Sequence, residues 1–366
     1  MCDDNGHDTK QPSLMTGKRN QQLDKKLPSR FILVVTVGGV VGLGILRGPG
    51  EIAAILPQPS LYLLLWFIGG LFVLLSTAVI AELLAMTSRS GGTYVLVRRA
   101  YGGYPGFVMG WVDWLSFSAD LALKAVVVIE FTAILFPQIG NLSVLLAILV
   151  TTIFALIQSG GVTIGAAVQE TATSIIGLSL ICITLWLMVV DMPTAIDAGK
   201  TTNENRINDW SLVIATIIFT YDGWLYGAYF GEEIEGKPGI AARSCIKGMV
   251  LVIALYMLLN TALVKSTGLA VLAGSDLAVA KVFELANMPM AEMFVIIAAI
   301  FILLGHQNLG YMSGSRILYA LAADDLATKH AQRVGTNGNP VFAVFATWFV
   351  AVLLIFIGGF EFLLLL

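Results

Sequence analysis

The sequence predicts an all-α polytopic membrane protein made of two units that enter the membrane from opposite sides. Three observations carry this reading. The 366 residues are 57% hydrophobic and 12% charged, with a mean hydropathy of +0.84, whereas a soluble domain is about one-quarter charged. The apolar residues gather into nine segments, most of them long enough to cross about 30 Å of hydrocarbon with about 20 residues. Two of these segments, five spans apart, are interrupted by glycine. Five is odd, so the second unit has the inverted orientation, and paired interrupted spans in corresponding halves mark the central site of a transporter-type architecture.

The chain begins with a polar stretch of mixed charge, Met1 to Arg30, which lacks the apolar core of a cleavable signal and reads as a disordered cytoplasmic tail. The membrane domain takes up 31–366, with a first repeat over about 31–190 and a second over about 211–366. The nine spans fall at roughly 31–56, 60–86, 106–136, 143–160, 170–190, 211–231, 248–266, 289–312 and 341–359, and the eighth continues as a helix towards Ala323. Phe360 to Leu366 reads as the start of a tenth span, so the second repeat is expected to be incomplete, truncated after span nine or as span ten begins.

Lys and Arg set the orientation. Fifteen lie in the tail and in alternate loops, among them Arg89, Arg98, Arg99, Lys237, Arg243, Lys247, Arg316, Lys329 and Arg333, against five on the other side. This asymmetry places the N-terminus in the cytoplasm of a multi-pass protein of the cell (inner) membrane. The polar loop from Asp191 to Trp210 is then external, and Trp66, Trp111, Trp186, Trp210 and Trp348 near span ends suit the membrane interface. Cys2, Cys182 and Cys245 are an odd set without metal spacing, and the three histidines are scattered, so neither a disulfide framework nor a metal centre is implied.

The first broken span reads VGGVVGLGILRGPGEIA from Val37 to Ala53. Each glycine weakens a helix interior by about 1 kcal/mol relative to alanine. Hydrocarbon cannot satisfy freed backbone groups, so such a break belongs against protein or a water-filled space. Close helix packing is the competing explanation for small residues. The second broken span, IIFTYDGWLYGAYFGEEIEGKPG from Ile217 to Gly239, carries Asp222 and Gly223 at membrane depth, where an acid marks a functional site by default. Half-helix N-termini present unpaired N–H groups and the positive end of a dipole to an anion, and half-helix C-termini offer carbonyls to an ammonium. A site with both is complementary to a zwitterion: Val41 to Ile45 for the carboxylate, Phe219 to Gly223 for the amine.

Other polar residues sit at membrane depth. Asp113, Asp120 and Lys124 share a face of span three, with Glu130 turned away. Asp120 with Lys124 reads either as a structural ion pair or as a movable coupling charge. His306, Gln307 and Asn308 form a polar run in span eight, with His306 either a hydrogen-bonding residue between helices or a proton relay. Ser313 and Ser315 follow near the cytoplasmic end. Glu82, Glu232 and Glu233 are expected to pair with Arg89, Arg98, Arg99 or Lys237 as charges of a cytoplasmic gate.

VGLGILRGPGEIA, SRSGGTYVLVRRAYGGYPGFVMGWVDWL (88–115), FTYDGW followed by EEIEGKPG, and GSRILYALAADDL (314–326) resemble the amino-acid permeases of bacterial type. These belong to the amino acid–polyamine–organocation superfamily, and the motifs occur in family order across 31–345. The resemblance implies a LeuT-like fold of five-plus-five inverted repeats with broken spans one and six. It implies a secondary active transporter that moves amino acids, or polyamines, by alternating access, with proton coupling or exchange. It also implies that the amides of Val41, Gly42, Leu43, Gly44 and Ile45 hold the substrate carboxylate. The carbonyls of Phe219, Thr220, Tyr221, Asp222 and Gly223 would meet the amine, and Asn308 matches an asparagine of span eight in similar sequences.

The chain departs from that pattern in span five, where many relatives carry a lysine and this sequence has Ile176. Asp120, Lys124 and His306 are the remaining candidates for coupling. The expected partners are the substrate, membrane lipid and protons, with no cofactor and no nucleic acid. Two other classes compete: an intramembrane hydrolase using Ser313, His306 or the span-three acids, for which no nucleophile–base–orienter spacing emerges, and a transport-incompetent sensor or fragment. No phosphate loop for ATP-driven transport is present.

Overall fold

A computed structural model describes residues 23–87, 89–190, 209–236 and 238–357. Most of the tail, most of the 191–210 loop, Lys237 and the suggested start of a tenth span lie outside the described residues. Among the described residues the chain is helical, with an isolated backbone bridge between Leu27 and Ile234.

Span one is α1 (Arg30–Val40) and α2 (Gly44–Ala53), bent by 40° at the break. Span two is α3 (Pro59–Met86), started by a proline at its first turn, where the missing N–H has no helical partner to lose. A short amphipathic helix, α4 (Thr93–Tyr101), stops at Gly102 with φ 95°, and the chain reverses there into span three, α5 (Gly103–Leu135). Spans four and five are α6 (Ser143–Ser159) and α7 (Val162–Val189). Span six is α8 (Trp210–Thr220), capped by the Asp209 carboxylate on the Leu212 N–H, followed by a 3₁₀ segment, Tyr226–Phe230. Span seven is α9 (Pro238–Thr267), and α10 (Leu269–Leu272) and α11 (Ala278–Leu285) follow it. Span eight is α12 (Pro289–Ala323) and span nine is α13 (Val341–Ile357).

Five of these helices are long and apolar enough to cross a membrane alone, and the bent pair α1–α2 makes a sixth. The 33 residues of α5 are interrupted by four charges, and α8 and α13 are shorter apolar helices. The 35 residues of α12 reach about 50 Å at 1.5 Å per residue, so this helix continues past the hydrocarbon as expected. Helices α5, α7 and α9 start before the hydropathy reading places them. Their first turns carry polar residues such as Gln169, Arg243 and Lys247, which end an apolar run without ending a helix.

The packing follows the inverted repeat. Spans one to four each pack on their counterpart five spans later: α2 on α8, α3 on α9, α5 on α12 and α6 on α13. Spans three, four, eight and nine share one apolar core, containing Leu121, Ala147, Phe154, Leu303 and Val344. Spans one, two, six and seven share another with span five, containing Val40, Trp66, Ile217, Tyr256 and Leu259. A third cluster closes the end where the chain enters and includes Leu23, Leu27 and Phe31. The tail assignment of 23–29 is therefore corrected: Leu23 and Leu27 are buried, and the backbone of Leu27 bonds that of Glu233 and Glu235. Apolar side chains at alternate turns here have a groove to fill, which a hydropathy reading of the tail alone does not reveal.

Candidate substrate site

Helix α1 ends at Val40, Val41 is extended, and α2 restarts at Gly44 without a side-chain cap. The N–H of Val41 still bonds the Val37 carbonyl and that of Gly42 faces the Tyr256 hydroxyl, whereas those of Leu43, Gly44 and Ile45 have no hydrogen-bond partner among the described residues; those of Leu46 and Arg47 return to the Leu43 carbonyl. Orphan donors are normal at a helix start, but these lie in mid-molecule, where leaving them unpaired is unfavourable.

The second break mirrors the first. α8 ends at Thr220, and Gly223 turns the chain with φ 106°. The carbonyls of Ile218, Tyr221 and Asp222 have no partner among the described residues, while that of Phe219 accepts from the Asp222 N–H. A Cβ on Gly223 would lie 2.2 Å from the Gly39 carbonyl oxygen, and one on Gly44 would lie 2.9 Å from the Thr220 Cα. The glycines thus bring the two breaks into backbone contact. Tyr256 ties them together: its hydroxyl donates to the Val40 carbonyl at 2.9 Å and stands 3.3 Å from that of Thr220.

The sequence reading passed over Tyr256. The available signal was Asn260 one turn later, a second polar group on the same face of an apolar span. Asn260 bonds Tyr62 and the Tyr256 carbonyl. The Tyr221 ring is fully buried against Trp66 and Tyr256. Phe219 is 74% exposed and points outward. Any contribution from these two residues therefore comes from the backbone. The Asp222 side chain is exposed.

His306 stands at the first break: a Cβ on Gly42 would lie 3.2 Å from its Cε1 and 3.8 Å from its Nε2. Asn308 does not present its amide there. It is fully buried and bonds Gln158, Gln169 and the Gly165 carbonyl, tying span eight to spans four and five. Gln307 bonds the Leu121 carbonyl. Lys124 and Asp120 form an ion pair at 2.6 Å. Ile176 is buried, and a Cβ on Gly305 of span eight would lie 3.6 Å from its Cδ1.

The end bearing the N-terminal residues is sealed by polar side chains. Arg316 and Glu233 are fully buried and doubly bonded at 2.7 and 2.8 Å. Arg316 also bonds Asn339 and lies over the Phe230 ring. Asp324 gathers Arg89, Arg98 and Tyr94. Asp113 accepts from Thr93 and Tyr229. The expected pairing of Glu233 with Arg89, Arg98, Arg99 or Lys237 is thus corrected. Arg316 lies near the C-terminal end of α12, and only the fold brings it to span six. Glu232 bonds Ser90 through its N–H and Tyr319 through its carboxylate, and burial pushes its carboxyl above the usual range. At the opposite end Arg47 pairs with Glu51 at 2.7 Å, and Asp276 lies at 4.0 Å, all of them part-exposed.

Comparison with known proteins bears on this geometry. The chain is 27% identical over 245 residues to the serine/threonine exchanger SteT of Bacillus subtilis (strain 168), matching 66% of this chain and 55% of that protein. It is 25% identical to human b(0,+)-type amino acid transporter 1, over 66% of this chain and 51% of the relative. It is 23% identical to the amino-acid permease RocE of Bacillus subtilis (strain 168), over 91% of this chain and 73% of that protein. The chain thus spans little more than half the length of the first two relatives. A structure of Mhp1, a nucleobase-cation-symport-1 family transporter in a closed conformation with bromovinylhydantoin bound, superposes with a TM-score of 0.58 at 12% identity. That superposition covers 94% of this chain and 76% of Mhp1, so the LeuT-like fold is shared. The family model described as amino acid permease matches residues 31–366, which contain both breaks and every span, and the chain belongs to the amino acid permease family.

Proposed function

We propose that this multi-pass membrane protein is a secondary transporter that moves amino acids by alternating access around the two breaks. The observation that carries the reading is the juxtaposition of three unpaired amides, at Leu43 to Ile45, with unpaired carbonyls at Ile218, Tyr221 and Asp222. Unpaired N–H groups at a helix N-terminus suit a carboxylate, and the carbonyls of the opposed C-terminus suit an ammonium. The relatives named above are described as amino acid transporters, exchangers or permeases, which supports the same substrate class.

The mechanism follows from which elements touch. Spans one, two, six and seven meet spans three, four, eight and nine across the site. At one end the contact is made by the buried Arg316–Glu233 pair, whereas at the other the part-exposed Arg47–Glu51 pair lies within α2 and does not bridge the groups. With the N-terminus in the cytoplasm by the basic-residue count, this arrangement is sealed on the inside. Transport then requires the Arg316–Glu233 and Asp113–Tyr229 contacts to separate while Arg47, Glu51 and Asp276 close over the occupied breaks. A substrate that bridges both breaks lowers the energy of that exchange by pairing groups that are unpaired without it.

Coupling falls to exchange, or to protonation of a buried group other than a span-five lysine, since Ile176 occupies that place. The test is proteoliposome uptake of labelled amino acids with a proton gradient, with internal amino acid, or with neither. Stimulation by internal substrate alone identifies exchange. Failure of every amino acid and polyamine to enter, or to stabilise the purified protein, overturns the reading.

A further inference from the structure

Lys124 and Asp120 remain outside the backbone-binding scheme, and their surroundings point to a use. They lie one turn apart on α5 and are joined at 2.6 Å. Val128, one turn after Lys124 on the same face, is buried, so this face of α5 points into the protein. Yet 16% of the Lys124 side chain and 34% of that of Asp120 stay accessible, so the pair borders an interior space and is not enclosed by packing.

Two neighbours place that space beside the first break. Phe117, one turn before Asp120 on α5, packs edge-on against Tyr226 with ring centroids 5.8 Å apart, and the Tyr226 ring packs on Gly39. Lys124 lies within electrostatic reach of His306, whose ring edge stands against Gly42. His306 is 91% buried, with 9% of its surface exposed, and its Nε2 has no hydrogen-bond partner among the described residues. The second oxygen of Asp120 and the other ammonium hydrogens of Lys124 also have no partner there. One donor group, one acceptor group and an unpaired imidazole nitrogen therefore border the break where the substrate's own backbone is proposed to sit.

We infer that Asp120, Lys124 and His306 form the side-chain subsite of the transporter and select neutral amino acids whose side chains carry a hydroxyl or carboxamide. The inference rests on the reading of the breaks as the amino-acid backbone site. Because the two charges are already paired, the subsite has no net charge to offer. A side-chain carboxylate would meet Asp120 and a side-chain cation would meet Lys124, each a like charge at close range. An aliphatic side chain would cover the free donor and acceptor without replacing the water they lose, and buried polar groups left unpaired are what make such a site reject an apolar isostere. A hydroxyl or carboxamide both donates and accepts, so it can bond the two ends of the pair without breaking it.

The test is thermal stabilisation of the purified full chain in lipid nanodiscs, titrated with single amino acids. Threonine is compared with its isostere valine, glutamine with methionine, and both with glutamate and lysine. At least one of the two neutral polar compounds is expected to half-saturate at a tenfold lower concentration than its apolar isostere and than both charged compounds. The double variant Asp120→Leu/Lys124→Leu should reduce that ratio to threefold or less. If that variant does not fold, Asp120→Asn/Lys124→Met, closer in volume, is read the same way. Stabilisation by amino acids with an apolar or charged preference, or a preference that survives loss of the pair, overturns the subsite and leaves the backbone site standing. No stabilisation by any amino acid overturns both.

Discussion

At Gly42 the absence of a side chain decides whether a ligand can reach the unpaired amides. A methyl group there would lie 3.2 Å from the His306 Cε1, a gap that a few tenths of an ångström of ring movement relieves. Gly42→Ala is therefore expected to bind within a fewfold of the native protein. Gly42→Leu should express and fold but lose amino-acid stabilisation, and retained affinity in that variant would assign the glycine to packing. Glu232 offers a second test at this scale. Burial raises its folded carboxyl above the ordinary value, so the folded state holds a proton that the unfolded chain releases. Stability then falls as pH rises from the unfolded value of about 4.3 through the raised one, and the loss is complete above it. Glu232→Gln should raise the Tm at neutral pH, and that gain should shrink on acidification towards pH 4, as read by thermal melts across pH.

Among the elements, the broken spans carry the most information. α1 and α2 could in principle continue as one helix, since the glycines weaken it without forbidding it. The bend persists because the second break occupies the space alongside. With φ 106° and the Gly39 carbonyl where its Cβ would go, Gly223 admits no side chain, and Gly223→Ala is expected to yield no monodisperse folded protein. The Tyr256 hydroxyl supports the Val40 and Thr220 carbonyls from span seven. Tyr256→Phe leaves buried carbonyls short of a donor, at about 1–3 kcal/mol. It should lower the Tm and also weaken amino-acid stabilisation, because the breaks lose their relative position. A drop in Tm with unchanged affinity would limit Tyr256 to a scaffolding role.

For the whole molecule, the two four-span groups meet through buried charge at one end, while at the other Arg47 and Glu51 pair within α2 and leave the groups unbridged by charge. Removing one partner of the fully buried pair, as in Arg316→Gln, leaves a buried charge and is expected to cost about 3–5 kcal/mol. The double replacement Arg316→Met/Glu233→Leu should recover most of the stability. If the pair is also a gate, the double variant will still favour the inward-open arrangement. Cys245 is buried where Gly227 of span six packs against it, so in a Cys2→Ser/Cys182→Ser background its labelling by a thiol reagent should accelerate. Unchanged labelling would make Arg316–Glu233 a structural pair alone.

The succession of apolar helices and the position of both breaks were legible because they depend on local quantities, namely apolar run length and the glycine spacing around Val41 and Gly223. Which amides and carbonyls stay unpaired was legible only in outline, since the Val41 amide returns to the Val37 carbonyl and the Phe219, Thr220 and Gly223 carbonyls accept from Asp222, Tyr256 and Tyr226. Side-chain direction was not. Phe219 faces outward and Tyr221 turns into the scaffold although both belong to one apolar run, and within the polar run of span eight Asn308 is consumed by Gln158 and Gln169 while His306 reaches Gly42. Nor were the partners of Glu233 and Tyr256 legible, because Arg316 is 83 residues away from one and Val40 is 216 from the other. Local composition settles where a membrane helix must break, since the cost of a glycine or an orphan amide is paid within one turn. Which groups then face the gap depends on how helices distant in sequence pack around it, and only the assembled bundle sets that.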